Sequence, residues 1–308
     1  VANLEPVFLR GLPSMSSLKG LQRNVGVMLL RWFESPSSHV NYMNRFLSAS
    51  FVLSLLFTAS LLLAQQSVND TPAANPARPT VATPATLTPV GYLQFENGVL
   101  YASGSGEFAT QTSINQVTKL AVSSRLQFLL LSEPYTHSRS AAGQSSSDPG
   151  AVSAGVQGVL LPGIGKRPTV SASYIRLLYG GTAPDIDIGT AKNTAVLLVS
   201  TDMAGFHFDI NGFASEQTEG ALRRAQFGQT ISIAHPAGPV TIGVELWHFS
   251  QPLIRGNAIG NLWCVSYAPK KNLVVDAGFN RGLTSTSTQW EGIVGFTYLL
   301  PHRLWRAR

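Results

Sequence analysis

Val240-Thr241-Ile242-Gly243-Val244-Glu245-Leu246-Trp247-His248-Phe249-Ser250 is the stretch on which the reading of the fold turns. Val240, Ile242, Val244 and Leu246 alternate with Thr241, Gly243, Glu245 and Trp247. Successive side chains of a strand point to opposite faces, so this run has one apolar face and one mostly polar face. The same beat recurs to either side. Phe206, Phe208 and Ile210 alternate with His207, Asp209 and Asn211, and Leu273, Val275, Ala277 and Phe279 alternate with Val274, Asp276, Gly278 and Asn280. From Val90 onward no long segment carries a 3.6-residue apolar period, so the chain reads as all-β.

About twelve strands can be marked: 90–103, 113–122, 125–134, 151–161, 168–179, 193–202, 205–215, 223–234, 239–250, 258–268, 272–281 and 289–300. Their connections alternate between short (123–124, 162–167, 203–204, 235–238, 269–271) and long (104–112, 135–150, 180–192, 216–222, 251–257, 282–288). Most of these strands have about ten residues, the length needed to cross a bilayer at a steep tilt. An even count, with short turns at one end and long loops at the other, is the pattern of an antiparallel up-and-down outer-membrane barrel. Closure is what would satisfy every backbone N–H and C=O inside lipid. A soluble β-sandwich would alternate too, but its outer face should be rich in charge. Tyr92, Tyr101, Tyr179, Phe249, Tyr267, Trp290 and Tyr298 stand near strand ends, where an interfacial girdle is expected.

Composition agrees. Only 12% of the 308 residues are charged, about half the ~25% of soluble domains. The net charge is +6, and no run of five basic residues offers a nucleic-acid surface. One cysteine excludes a disulfide framework. Met43-Asn44-Arg45 followed by an apolar stretch to Leu63 and by Ala64 has the order of a secretory signal peptide. A cleaved signal is preferred to an uncleaved anchor. The expected organisation is therefore residues 1–42 as upstream leader before a true start at Met43, then 43–64 as signal peptide. A linker rich in Pro, Ala and Thr follows over 65–89, then the barrel over 90–300 and a tail over 301–308.

Four motifs in order carry a family resemblance. They are Pro89-Val90-Gly91-Tyr92-Leu93-Gln94-Phe95-Glu96-Asn97-Gly98, Ile114-Asn115-Gln116-Val117-Thr118-Lys119-Leu120, Leu131-Ser132-Glu133-Pro134 and Gly295-Phe296-Thr297-Tyr298. Over residues 89–305 the chain resembles a bacterial outer-membrane transporter family labelled MetA-pathway of phenol degradation. The resemblance implies a porin-like β-barrel of a Gram-negative bacterium that passes small, often aromatic or hydrophobic compounds. It supplies no catalytic residues. Barrels of this kind commonly end on an aromatic residue, whereas here Trp305 stands three residues before Arg308.

If the apolar faces meet lipid, the alternating polar residues line the lumen. The candidates are Gln94, Glu96, Lys119, Arg125, Gln127, Glu133, Arg176, His207, Asp209, Asn211, Arg224, Gln226, Glu245, Asp276, Asn280 and Glu291. Both signs are present, so they can pair across the interior either as a polar pathway or as a structural plug. His248, Ser250 and Glu245 invite comparison with a lipid hydrolase. Two residues on one strand make no nucleophile turn, however, and no Gly-x-Ser-x-Gly elbow occurs. His39, His137, His207, His235 and His302 lack metal-ligand spacing. Asp185 and Asp187 lack the frame of a Ca²⁺ loop, and Gly163-Ile164-Gly165-Lys166 reads as a turn and not a phosphate loop. Cys264 reads as a packing residue.

The expectation is a monomeric outer-membrane β-barrel, exported by its signal peptide and folded with the barrel-assembly machinery. It acts as a passive channel for small solutes, has no cofactor and no metal, and is not an enzyme. The alternative is a structural or surface-interaction barrel with a plugged lumen.

Overall fold

The computed structural model describes residues 72–186 and 188–305; the expected leader, signal peptide and first residues of the linker lie outside the described residues. Thirteen strands follow in chain order: β1 (Leu93–Ser103), β2 (Thr110–Ser123), β3 (Leu126–Arg139), β4 (Ser145–Asp148), β5 (Val152–Leu161), β6 (Thr169–Tyr179), β7 (Thr190–Met203), β8 (Phe206–Glu219), β9 (Leu222–Ala237), β10 (Val240–Gln251), β11 (Gly256–Lys270), β12 (Leu273–Gly282) and β13 (Trp290–Leu299). All pairings are antiparallel. β1 pairs with both β2 and β13, so the sheet closes on itself. The four-residue β4 pairs only with the end of β3 and stands outside the ring. What remains is a closed up-and-down barrel of twelve strands, with no helix among the described residues.

Sequence alternation sets which way each strand faces. Val99, Tyr101, Ile210, Ile231, Ile242, Leu246, Trp263, Phe279 and Val294 are exposed, while Gln94, Glu96, Gln127, Gln157, Asn211, Glu245 and Thr297 are buried. Register carries this rule around the ring: Glu245 is opposite Ser232 and Leu262, and Ser232 is opposite Asp209. The polarity is that of a soluble protein turned inside out, as a lipid-facing barrel requires.

Strand boundaries differ from expectation chiefly at the long-loop end. β3 runs to Arg139 rather than residue 134, and β8 runs to Glu219 rather than 215. The expected loop 216–222 shrinks to Gly220-Ala221, with Gly220 at φ +57°. Ser215-Glu216-Gln217-Thr218 is polar on both faces, so it shows no apolar beat, yet ladder pairing continues through it. At the other end, Ala204-Gly205 closes a two-residue turn with both φ positive (+54° and +81°), the geometry that matches the twist of a hairpin.

The linker expected over 65–89 is also corrected for its described part. Residues 72–90 are not a solvated tether. They enter beside the β11–β12 turn, where the Ala74 amide donates to Lys271 (2.8 Å), and pass through the barrel interior. They leave again at Gly91, whose amide donates to Ala121 (2.8 Å).

Candidate functional site

The lumen is the candidate site, and residues 72–90 occupy its short-turn half. Their backbone polar groups are met by inward side chains from strand after strand. The Asn75 amide donates to Gln94 Oε1 (2.8 Å), and Gln94 Nε2 returns a bond to the Asn75 carbonyl (2.7 Å). Glu245 accepts from the amides of Val81 (3.0 Å) and Ala82 (2.8 Å). Asn211 accepts from Thr83 (2.6 Å) and donates to its carbonyl (3.0 Å). Ser200 accepts from Ala85 (2.7 Å), and Ser171 and Gln157 donate to the Ala85 carbonyl. Gln127 accepts from both the amide and the hydroxyl of Thr88 (2.8 Å each). A backbone without secondary structure can be buried only if its polar groups find partners, and here the wall supplies them.

Charges pair within this layer. Lys119 contacts Glu96, which also accepts from Gln94 Nε2 (2.9 Å). Arg78 of the threaded segment lies 3.6 Å from Asp276. Its guanidinium fits because Gly98 and Gly295 face it: a Cβ on Gly98 would fall inside the guanidinium, and one on Gly295 would lie 2.7 Å from it. Asp209 accepts from Ser200 Oγ (2.5 Å) and lies 3.3 Å from His207 Nε2, while His207 Nδ1 meets Asp202 (2.7 Å).

Across the middle of the barrel the lumen wall carries an apolar belt, and beyond it toward the long loops the buried inner face is polar again, with Gln111, Ser138, Gln217 and Gln251. Leu100, Val196, Leu198, Trp247 and Leu262 are buried, and Ala85 of the segment packs on Val196 and Leu198. Phe249 lies 5.3 Å from Phe213 and 6.1 Å from Trp247, centroid to centroid. Gly228 and Gly260 have no side chain, so these rings lie flat on the wall: a Cβ at either would fall within Phe249 or Trp247. Trp247 Nε1 donates to Asn280 (2.9 Å). Phe249, expected in the interfacial girdle, therefore faces inward. It shares the parity of Glu245 and Trp247.

The loop 180–189 crosses the outer mouth. The Ile186 carbonyl accepts from Ser105 (3.1 Å) and Thr288 (3.4 Å), and the Pro184 carbonyl accepts from Gln111 (2.8 Å), all on the opposite wall. Beside this loop lies a cleft of about 480 Å³ lined by Glu107, Asp185, Thr190, Lys192, Glu219 and Arg223 among others. Burial pushes the Asp185 carboxyl above its ordinary range, against the opposing effects of its hydrogen bond from Thr190 and of Lys192. Glu107 is raised as well, by burial first and then by the negative charges of Glu219 and Asp185.

Most of the predicted residues come together around the threaded segment: Gln94, Glu96, Lys119, Gln127, Asn211, Glu245 and Asp276 are buried there, with Asp209 behind Ser200 and Gln226 and Asn280 on the same inner face. Glu291 stands opposite Ala102 and Asn280 on that face. Glu133 is half-buried against Gly150 at the β3–β5 connection, and Arg224 is exposed at the outer rim. Two residues depart from expectation. Arg125 is exposed in the β2–β3 turn, and Arg176 is exposed on the face of β6 opposite Ser171 and Ser173. Sequence reasoning missed Gln157, Ser171, Ser200 and Arg78. Their signal was parity with known inward residues, obscured because serine carries little pattern and because Arg78 lay in the supposed linker.

The hydrolase set does not assemble. His248 bonds to Gln229 (2.8 Å) and Asn257 (3.1 Å), and Ser250 accepts from the Phe227 amide (2.9 Å), both on the face opposite Glu245. Asp187 lies outside the described residues, and among those described no group of His, Cys, Asp or Glu is arranged to hold a metal. Cys264 is a free, half-buried thiol.

No protein-family model and no curated protein matches the chain. Among solved structures it is similar to the COG4313 outer membrane channel from Pseudomonas putida F1, with 13% identity and a TM-score of 0.53 over 70% of this chain and 98% of that one. The KdgM porin (11% identity, TM-score 0.47, 67% and 98% covered) and the NanC porin (10%, 0.48, 68% and 100%) align less closely. The fold is a closed antiparallel twelve-stranded β-barrel similar to that of the Pseudomonas putida channel.

Proposed function

We propose that the protein is a passive channel of the outer membrane for small solutes, hydrophobic and aromatic ones among them, and that residues 72–90 are its gate. One observation carries this reading: the segment filling the lumen is held by side-chain-to-backbone bonds and does not join the sheet. Its buried apolar side chains are small, Pro79, Ala82, Pro84 and Ala85, and none of its residues pairs in the sheet, so its withdrawal would leave the ring of strands intact. The Phe213–Trp247–Phe249 surface above it gives planar, apolar solutes a place to rest. Solute would move down its gradient, and no reaction or cofactor enters. A monomer exported by a signal peptide and folded by the barrel-assembly machinery fits this reading, as does the phenol-degradation family label.

The density of bonds to the segment favours a second reading, a permanently plugged structural barrel. Planar-bilayer recordings separate the two. Glu245→Ala with Asn211→Ala removes the acceptors of the Val81, Ala82 and Thr83 amides. Hydrogen bonds to charged groups contribute about 1.5–3 kcal/mol each and neutral ones about 1 kcal/mol. The double variant should therefore raise open time by at least about tenfold over the mostly closed parent. Silence from both proteins, each inserted and heat-modifiable on a gel, would establish the plugged barrel instead.

A further inference from the structure

The outer face carries a second built feature near the long-loop end. Tyr174, Ala195, Ala214 and Phe227 form one row across β6, β7, β8 and β9, each being the Cα partner of the next. Tyr174 and Phe227 are 45% and 56% exposed and stand as walls. The two alanines leave a shallow groove of about 510 Å³ between them. One row further in, Gly212 has open space where a side chain would be, which lengthens the groove along β8. From Glu216 to Gly212 the groove runs about 13 Å at about 3.3 Å per residue, most of a half-bilayer of hydrocarbon at about 15 Å.

At its outer end the groove becomes polar. Tyr174 Oη donates to Asn193 (2.6 Å), and Asn193 Nδ2 donates to Glu216 (2.6 Å). Glu216 also takes an ion pair from Arg223 (3.3 Å). Arg224 lines the same end, and Arg176 is the Cα partner of Asn193. Arg223 thus pairs with a carboxylate that already has a donor in Asn193, Arg176 ends the same row on β6, and Arg224 donates to the Arg223 carbonyl (3.1 Å).

We infer that this groove binds an anionic, phosphate-bearing lipid of the outer leaflet, one acyl chain lying over Ala214 and Gly212 and a phosphate against Arg176 and Arg223. The inference rests on the membrane-barrel reading above. Charge selects the occupant: guanidinium pairs recognise phosphate through paired N–H donors, and basic pockets at headgroup depth hold anionic lipids. Tyr174 and Phe227 add two exposed aromatic rings to the outer face, as Tyr101 and Trp290 do on β1 and β13.

The test is native mass spectrometry of the full chain released from detergent, after incubation with lipid A or with zwitterionic phosphatidylcholine. Ala214→Phe fills the groove, and Arg223→Glu reverses the charge at its head. The expected result is one retained lipid A per chain, with retention lowered about fivefold or more by either variant. Equal retention of phosphatidylcholine, or retention of lipid A unchanged in both variants, would overturn the inference. Ala214 lies on the exposed outer face, so bilayer conductance of the Ala214→Phe sample separates the two readings, while Arg223, which also lines the cleft at the mouth, serves the lipid measurement alone. A conducting protein without lipid selectivity sinks this inference alone, and a lipid-retaining protein that never conducts sinks only the channel.

Discussion

Arg78 shows how much a single position can carry. It lies in a stretch whose composition reads as tether, yet its guanidinium lies in the wall between Gly98 and Gly295, beside Asp276. Glycine is needed at 98 for close approach and not for an unusual backbone angle. Gly98→Val should push Arg78 away and leave Asp276 without its cation. Breaking a buried ion pair from one side costs about 3–5 kcal/mol, enough to loosen the entering half of the segment. The readout is maleimide labelling of Ala82→Cys in a Cys264→Ser background, since Ala82 is fully buried in the parent. The expected change is a rise of at least about tenfold in labelling rate; an unchanged rate in a folded barrel would disprove the coupling. Phe249 and Arg176 teach the converse lesson. Residue type alone sends an aromatic to the girdle and a charge to the lumen, whereas strand parity puts Phe249 inward with Trp247 and Arg176 outward, away from Ser173.

At the scale of elements, the strands were legible because a lipid-facing surface and a polar interior write a period of two. Loop ends were not, because above the bilayer both faces of a strand are polar and the beat vanishes. The lid 180–189 could not be read at all; its bonds to Ser105, Gln111 and Thr288 exist only once the ring brings opposite strands together. Its acids make a pH prediction. A carboxyl whose pKa is raised on folding holds its proton more tightly folded than unfolded. Stability therefore rises as pH falls through the raised value and levels off below the ordinary carboxylate range. Asp185 and Glu107 are both raised. The heat-modifiability midpoint should thus climb between neutral pH and about pH 4, and Asp185→Asn should flatten that climb. A midpoint that falls on acidification equally in both proteins would contradict it.

For the whole molecule, the inside-out surface is the property that matters most. Leu246 lies at mid-strand, 55% exposed, back to back with the buried Glu245. Leu246→Arg should cost about 2–4 kcal/mol at the bilayer midplane, seen as a lower urea midpoint for the barrel in lipid. The same substitution at a soluble surface would change little, so a midpoint within error of the parent would count against a lipid-facing wall. The low charge of the chain finds its reason here, since half of each strand cannot carry charge.

Alternation is a local property that each strand records alone, so the all-β class, the twelve strands and the apolar outward face of most of them are written in the chain. Folding of the ring is what puts residues 72–90 in the lumen, brings Phe213, Trp247 and Phe249 together and carries residues 180–186 across the mouth. Those contacts join residues far apart in the chain, as Arg78 is from Asp276 and Val81 from Glu245. A segment that buries only small side chains, with no strand or helix period, leaves no hydrophobic pattern in its own sequence. Its partners are written in the wall.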